Sequence, residues 1–222
     1  MNPNLLNKFR TPETPGSFFL SFEGIEGSGK TTQLKNIESF LINEKKKRVL
    51  VLREPGGTIF GEKLREAILG STVPLHPLAE CHLFLASRAQ LLHEKILPFL
   101  LIPDSVVILD RYVDSTLAYQ GLARGLGVET ILTLHQHNPL NLLPHRTYFL
   151  DISLETSMER QKKRGQEKDY FESEKLEFYQ KLIDGYRSLT SIFPDRILKI
   201  DASVTPEEVG KEILSDLKKI IA

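Results

Sequence analysis

A glycine-rich octapeptide near the start of the sequence limits the folds open to this chain. It runs Gly24-Ile25-Glu26-Gly27-Ser28-Gly29-Lys30-Thr31 and matches the pattern G-x-x-x-x-G-K-[ST]. An apolar run precedes it and a helical period follows it, which is the setting of a phosphate-binding loop. Glycines let backbone N–H groups turn toward an anion, and the N-terminus of the following helix adds its dipole. We therefore predict that Lys30 reaches the β- and γ-phosphates of a nucleotide and that Thr31 binds Mg²⁺.

Five short apolar runs alternate with helical periods along the chain. The runs cover residues 17–22, 48–53, 106–110, 147–152 and 196–201. They are almost continuously apolar, which is typical of parallel strands covered on both faces. Between them, residues 80–100 predict one long helix, and Thr205 is the expected cap of a C-terminal helix. The alternation predicts an α/β fold of the P-loop NTPase type, a three-layer sandwich with a five-stranded parallel sheet flanked by helices.

Length and composition indicate one globular domain. The chain has 222 residues, of which 41% are hydrophobic and 26% charged, and no apolar stretch is long enough to span a membrane. Lys and Arg equal Asp and Glu at 29 each, so no basic field favours nucleic acid or a membrane surface. The single cysteine, Cys81, and the lack of a secretory signal favour the cytoplasm. We expect residues 1–16 to be a flexible tail and residues 17–222 to be a single domain.

Polar residues follow two of the predicted strands. Asp110, Arg111 and Tyr112 end the third run, and Arg53 ends the second. Because ligands of open α/β sheets bind at the carboxyl ends of the strands, the two arginines are expected to meet one phosphate monoester there. Taken by itself, Asp110 is better interpreted as a cap of the next turn, but the phosphate loop favours a carboxylate that supports the metal.

Two residues of the long predicted helix form a candidate base site. Phe84 and Arg88 are four residues apart and share one helix face, so a ring can stack on a base while a guanidinium donates to it. An arginine donor favours the carbonyl of thymine over the amino group of cytosine. An aromatic side chain at helical spacing is also common in a protein core, so the assignment needs further support.

A set of motifs narrows the class of enzyme. Neither of the strings D-x-x-G and N-K-x-D, which small GTPases need, occurs in this sequence. The motifs are Arg53-Glu54-Pro55-Gly56-Gly57-Thr58, Gly61-Glu62 with Arg65, Phe84 with Arg88-Ala89-Gln90, Asp110-Arg111-Tyr112 with Ser115-Thr116, and Ala118-Tyr119-Gln120-Gly121. In combination they resemble the bacterial thymidylate kinases over residues 17–210. The resemblance implies transfer of the ATP γ-phosphoryl group to thymidine monophosphate with Mg²⁺, and a homodimer.

The resemblance also implies roles for individual residues. ATP would be bound by Gly24, Ile25, Glu26, Gly27, Ser28, Gly29, Lys30, Thr31 and Thr32. The acceptor would be bound by Glu26, Arg53, Pro55, Phe84, Arg88, Arg111, Thr116, Tyr119 and Gln120. Thr116 matches the position that bonds the base N3, and Tyr119 matches the position that crowds the 2′ side of the sugar. The metal ligands would be Thr31 and Asp110.

A lid is expected near residues 157–172. Its basic stretch is Lys162-Lys163-Arg164-Gly165, and such a stretch is commonly only a solvated face. Family members without an arginine in the phosphate loop supply one from the lid, so Arg164 is the first candidate for a catalytic arginine, beside Lys30, Asp110 and Arg111, and Arg160 is the second. The segment departs from the frequent pattern D-R-x-E, since Tyr170 stands where arginine is common.

Two other functions remain open at this point. A deoxynucleoside kinase would phosphorylate a neutral nucleoside, and it typically shows Glu-Arg-Ser where this chain has Asp110-Arg111-Tyr112. A nucleotide-sensing module would bind without turnover, although the complete phosphate loop argues against it. His135 and His137 do not share a helix face and lack partners at ligand spacing, so we interpret them as structural.

Overall fold

A computed structural model describes residues 3–164 and 176–221. The strands are β1 Phe18–Glu23, β2 Arg48–Arg53, β3 Ser105–Asp110, β4 Arg146–Asp151 and β5 Ile197–Asp201. They form one sheet in the order β2-β3-β1-β4-β5, and each neighbouring pair is parallel. The five-stranded parallel sheet is therefore confirmed, and the predicted strand limits agree with the observed ones to within one residue.

Helices flank the sheet. They are α1 Pro3–Leu6, α2 Lys30–Asn43, α3 Ile59–Leu69, α4 Pro77–Leu91, α5 Leu97–Leu100, α6 Val113–Thr116, α7 Val128–His135, α8 Leu154–Arg164, α9 Leu176–Ile192 and α10 Pro206–Ile220. Helix α2 packs on β1, β2 and β3, and α10 packs on α2 and β5. Helix α9 packs on β4 and β5. The apolar side chains that face the sheet are buried and fix the orientation of both helices: Leu34, Ile37 and Leu41 on α2, and Tyr179, Ile183 and Tyr186 on α9. Leu176, which the 3.6-residue spacing also places on the apolar stripe of α9, is 59% exposed at the start of the helix.

Two helices contain π-helical turns. The predicted helix over residues 80–100 is present, but the turns Leu92–Ile96 join α4 to α5 as a π-helix. A second π-helix, Leu117–Ala123, continues α6. Each π turn widens the backbone by one residue, so side chains beyond it rotate relative to a regular helix. The second π-helix carries Tyr119 and Gln120 toward the carboxyl edge of the sheet.

The N-terminal segment has hydrogen bonds and apolar contacts to the body of the protein. The Arg10 N–H group donates to the Asn141 carbonyl at 3.0 Å, and the Leu143 N–H group donates to the Arg10 carbonyl at 2.8 Å. Leu5, Leu6 and Phe9 are partly buried against the core. These apolar side chains and the two backbone hydrogen bonds of Arg10 give the segment contacts that its polar composition did not indicate.

The C-terminal helix begins as the sequence indicated. Thr205 caps α10, and its hydroxyl accepts from the Glu208 N–H group while the Glu208 carboxylate accepts from the Thr205 N–H group. Within residues 3–164 and 176–221, none of the helices is both long and apolar enough to cross a membrane.

Candidate active site

The phosphate loop lies at the carboxyl edge of the sheet, between β1 and α2. Gly24 has a φ of 138°, and a Cβ atom there would stand 2.7 Å from the Leu150 carbonyl oxygen, so a side chain is excluded. Gly29 has a φ of 95° at the N-cap of α2. These two conformations turn the loop back over the end of the sheet and bring Lys30 into the first turn of α2.

A polar cleft of about 800 Å³ opens over this loop. It is lined by Glu26, Gly27, Ser28, Gly29, Lys30, Thr31, Arg53, Glu54, Arg65, Asp110 and Arg111. The Lys30 ammonium group donates to the Gly24 carbonyl at 3.1 Å and lies 4.0 Å from Asp110 Oδ1. The cleft thus joins backbone donors, a lysine and three arginines, which is a surface for a polyphosphate. We call it the phosphate cleft.

Asp110 and Thr31 fit a divalent cation. Asp110 Oδ1 is buried and accepts no hydrogen bond from the described residues, so a cation would satisfy it. Thr31 lines the same cleft. No group of three His, Cys, Asp or Glu residues suited to a metal occurs in the described ranges. Two protein oxygens suffice for Mg²⁺, which commonly keeps water and substrate phosphate oxygens as its other ligands.

A second, more apolar cavity of about 620 Å³ adjoins the phosphate cleft. It is lined by Glu26, Glu54, Pro55, Arg65, Leu69, Phe84, Arg111, Ser115, Thr116, Tyr119, Gln120 and Tyr179. We call it the acceptor cavity. The structure therefore brings together seven of the nine residues that the sequence selected for the acceptor. Arg111, Arg65, Glu54 and Glu26 line both spaces, so the two spaces meet at these side chains.

The other two acceptor candidates lie elsewhere. Arg53 lines the phosphate cleft and donates to Glu62 at 3.0 Å. Arg88 is 1% exposed and is not among the described residues that line either space. Its Nε and Nη2 atoms donate to Glu54 Oε2 at 2.8 and 2.5 Å. A direct role of Arg88 in reading a base stays a prediction, since in this conformation Arg88 stands behind the cavity wall.

Arg88 is the centre of a buried polar cluster. Its Nη1 atom donates to Thr116 Oγ1 at 3.1 Å and to His135 Nε2 at 2.6 Å. His135 Nδ1 lies 2.7 Å from the Ile131 carbonyl oxygen, so the neutral ring carries its proton on Nδ1 and accepts at Nε2. Burial and the charge of Arg88 lower the pKa of His135 to about 3. This arrangement fits the structural interpretation of His135, and it fixes the Thr116 hydroxyl at the cavity wall.

Sequence reasoning missed several residues of the site. Arg65 was part of a motif without an assigned role, and its Nη1 atom donates to the Pro55 carbonyl at 3.1 Å. Tyr179, at an apolar position of α9, had no assigned role in the sequence analysis, although it lines the acceptor cavity. Glu23 is fully buried at the end of β1, and burial raises its pKa to about 7, with Asp114 adding to the rise and Arg111 opposing it. The strand-end position of Glu23 beside the phosphate loop was the available signal.

A third cleft of about 620 Å³ extends from the phosphate loop past α8. It is lined by Gly27, Ser28, Gly29, Thr32, Gln33, Arg160, Ala202, Val204, Pro206 and Val209. Arg160 donates to the Gly27 carbonyl at 3.1 Å and to the Ala202 carbonyl at 3.0 Å, so it contacts the phosphate loop directly. The Arg164 side chain and residues 165–172 of the predicted lid lie outside the described residues.

The comparisons with known proteins agree with this geometry. The family model described as Thymidylate kinase matches residues 22–213. The chain belongs to the thymidylate kinase family. Among curated members of this family, the thymidylate kinase of Thermoanaerobacter sp. (strain X514) is 43% identical over 203 residues, which cover 91% of this chain and 98% of that protein. The thymidylate kinase of Kosmotoga olearia is 40% identical over 206 residues, which cover 91% of this chain and 98% of that protein.

A solved structure of the family has the same fold. The crystal structure of thymidylate kinase from Ehrlichia chaffeensis matches with a TM-score of 0.72 at 31% identity and covers 92% of this chain and 99% of that chain. Members of the thymidylate kinase family are ATP-dependent nucleoside monophosphate kinases, and phosphorylation of thymidine monophosphate is the family function. The adjoining phosphate cleft and acceptor cavity are the two spaces that such a transfer requires.

Proposed function

We propose that this chain phosphorylates thymidine monophosphate with the acceptor cavity and the phosphate cleft as its two substrate sites. The observation that carries the proposal is that Arg111 lines both spaces, so one guanidinium reaches the junction where two phosphates would meet. ATP would lay its triphosphate along residues 24–32, and the acceptor phosphate would point out of the acceptor cavity toward Arg111 and Arg65. Arg53 would complete the cationic wall of the phosphate cleft.

The acceptor cavity supports a pyrimidine deoxynucleotide. Phe84 offers a ring for stacking on the base, and Thr116 offers a hydroxyl that Arg88 holds in place. Tyr119 would crowd the 2′ position of the sugar, which disfavours a ribonucleotide. Pro55 and Gln120 would close the cavity around the base, and Glu26 would face the sugar where both spaces meet.

Catalysis would consist of positioning and charge neutralisation, as in other phosphoryl transfers. An oxygen of the acceptor phosphate forms a bond to the γ-phosphorus while the bond to the β-phosphate oxygen breaks, and ADP leaves. Lys30 and Arg111 would stabilise the charge that develops on the transferred group. Mg²⁺ bound by Thr31 and Asp110 would neutralise charge on the phosphate oxygens. Arg164, or Arg160 in its place, would add a further positive charge when the lid covers the triphosphate.

We further propose that the protein acts as a cytoplasmic homodimer with small nucleotides as its ligands and without a nucleic-acid or membrane partner. The balance of 29 basic and 29 acidic residues supports the absence of a polyanionic partner. The dimer rests on family resemblance, and Ile59 at 83% exposure and Phe60 at 47% exposure give α3 apolar surface for a contact. Cys81 is buried, so it offers no disulfide partner at the surface.

The test is a coupled assay of ADP release across a panel of acceptors. The panel contains thymidine, the monophosphates of thymidine, deoxyuridine, deoxycytidine and deoxyguanosine, and uridine monophosphate, each at saturating ATP with Mg²⁺. The proposal expects the highest kcat/KM with thymidine monophosphate and weak turnover with thymidine. Preference for the nucleoside would instead identify a deoxynucleoside kinase, and nucleotide binding without ADP release would identify a sensing module.

A further inference from the structure

Glu23 is the acceptor of three hydrogen bonds in the interior beside the site. Its Oε1 atom accepts from the Tyr112 N–H group at 2.7 Å. Its Oε2 atom accepts from the Ser115 hydroxyl at 2.6 Å and from the Tyr186 hydroxyl at 2.9 Å. Three donors on one side chain are satisfied best by an ionised carboxylate, which offers only acceptors. These donors come from the loop after β3, from α6 and from α9, so Glu23 ties three elements to the end of β1.

The same two hydroxyls hold the Arg111 side chain. Arg111 Nη1 donates to Ser115 Oγ and to Tyr186 Oη, each at 3.2 Å. A hydroxyl has a single proton, and when Glu23 accepts that proton the lone pairs of the oxygen face the guanidinium. Each of the two hydrogens on Nη1 then has its own acceptor. Ser115 Oγ and Tyr186 Oη also lie 2.9 Å apart. With both hydroxyl protons donated to Glu23, this pair shares no proton, and the carboxylate sets the direction of the bonds from Arg111 to Glu23.

This arrangement decides which edge of Arg111 faces the ligands. Among the described residues, every hydrogen bond from the Arg111 side chain leaves through Nη1. The edge formed by Nε and Nη2 is thereby left for a bidentate contact with a phosphate at the junction of the two spaces. The backbone of Arg111 is also constrained, because its φ of 71° lies in the left-handed region, which is costly for a residue with a side chain. The bond from the Tyr112 N–H group to Glu23 lies directly after this residue.

We propose that Glu23 is a positioning residue for Arg111, acting through the hydroxyls of Ser115 and Tyr186 to aim the guanidinium at the phosphate monoester of the acceptor. The proposal rests on the proposed function, since it assigns Arg111 a phosphate ligand. It also links the site to α9, because Tyr186 is fixed there by stacking on Phe149 with ring centroids 5.0 Å apart. A displacement of α9 would therefore move the Tyr186 hydroxyl and, with it, an acceptor of the Arg111 side chain.

The test uses Glu23→Gln in the full chain. A carboxamide keeps the size of the side chain but offers one acceptor oxygen in place of two, so it cannot accept from all three donors. The matched control is Ser21→Ala, two residues earlier on the same strand, which removes a buried hydrogen bond of 2.7 Å to Thr147 and none of the hydrogen bonds of Glu23 or of the Arg111 side chain. Calorimetry at about pH 8, above the pKa of Glu23, measures the affinities for thymidine monophosphate and for thymidine. Thymidine shares the base and sugar but lacks the phosphate.

The expected result is a loss of about 10-fold or more in affinity for thymidine monophosphate in Glu23→Gln, with the affinity for thymidine unchanged. Ser21→Ala should leave the ratio of the two affinities as it is in the unmodified protein. Tyr186→Phe removes only one hydroxyl and should give the same selective loss at smaller size, so the proposal stays testable where Glu23→Gln folds poorly. The losses of affinity for thymidine monophosphate in Glu23→Gln and Tyr186→Phe should be less than additive in the double variant, because both substitutions disrupt the same hydrogen bonds between Glu23 and Arg111.

Equal losses for both ligands in Glu23→Gln and in Tyr186→Phe would overturn the proposal, because they would indicate a purely structural role. This failure is distinguishable from failure of the proposed function. Absence of ADP release by the unmodified protein would contradict the proposed function. The ratio of the affinities for thymidine monophosphate and thymidine would still measure how well Arg111 is positioned for a phosphate. Normal turnover together with an unchanged ratio in both variants contradicts the role of Glu23 alone.

Discussion

Replacement of Arg88 by methionine is expected to destabilise the fold strongly. Arg88 and Glu54 are 1% and 4% exposed, and two bonds of 2.8 and 2.5 Å join them. Methionine fills a similar volume but leaves Glu54 buried without its cation, and it also removes the donor to His135. Loss of one partner of a buried pair costs about 3–5 kcal/mol. In a chain of this length that corresponds to a decrease in Tm of roughly 6–20 °C.

Urea denaturation across a range of pH measures this effect and its cause. Burial raises the pKa of Glu54 above its ordinary value of 4.5, and Arg88 opposes that rise. Without Arg88 the folded-state pKa rises further above the unfolded value. A raised pKa gives stability that is present below the unfolded pKa and is lost as the pH rises through the folded one. The deficit of Arg88→Met should therefore shrink toward about pH 5, and Arg88→Met/Glu54→Gln should be more stable than the single variant at neutral pH.

A deficit below about 1 kcal/mol, or one that is the same at every pH, would refute this reasoning. The first result would mean that Glu54 finds water or another partner at little cost. The second would mean that lost packing, and not an uncompensated charge, destabilises the variant.

Two further predictions concern the phosphate cleft. Lys30→Ala should slow steady-state turnover by roughly 10²–10³-fold, because it removes one preorganised charge at the phosphate cleft. Tm should change little, because alanine also favours a helix in the first turn of α2. Lys35→Ala, an exposed position on the same helix, is the control, and near-normal turnover of Lys30→Ala would contradict the phosphate role. In single-turnover transfer at saturating substrates, Arg164→Ala should lose more rate than Lys162→Ala, and Arg164→Lys should recover little, since lysine lacks the planar fork of arginine. A large loss only in Arg160→Ala would move the role to the arginine that contacts the phosphate loop.

The sequence predicts the sheet and the junction of the two spaces because both depend on local patterns. Continuous apolar runs identify the parallel strands, and residues at the carboxyl ends of such strands meet at one edge. Arg111 follows β3 and Lys30 follows the loop after β1, so their approach is a consequence of topology. Phe84 lies in the acceptor cavity, which favours its assignment as a stacking ring over a place in the core.

The positions of Arg88 and Glu23 depend on long-range contacts that no local pattern records. Helix periodicity places Arg88 on the face of Phe84, but it does not show that Glu54, from another loop, binds the guanidinium behind the cavity wall. Glu23 looks like the last residue of an apolar strand, and its partners lie far along the chain at Ser115 and Tyr186. The contacts of the N-terminal segment are likewise long-range, since they include residues 138–145.

The central place of β1 has a consequence for the way the chain folds during synthesis. Phe18 pairs with Val106, and Leu20 pairs with Arg146, so β1 has neither neighbour until the ribosome has added about 90 to 130 further residues. Pairing over such separations is slow because the chain loses the entropy of a long loop before the contacts between the strands stabilise it. During that interval β1, with Phe19, Leu20 and Phe22 all destined for the interior, is an apolar segment without cover. The nascent chain is therefore expected to depend on chaperones until β4 emerges.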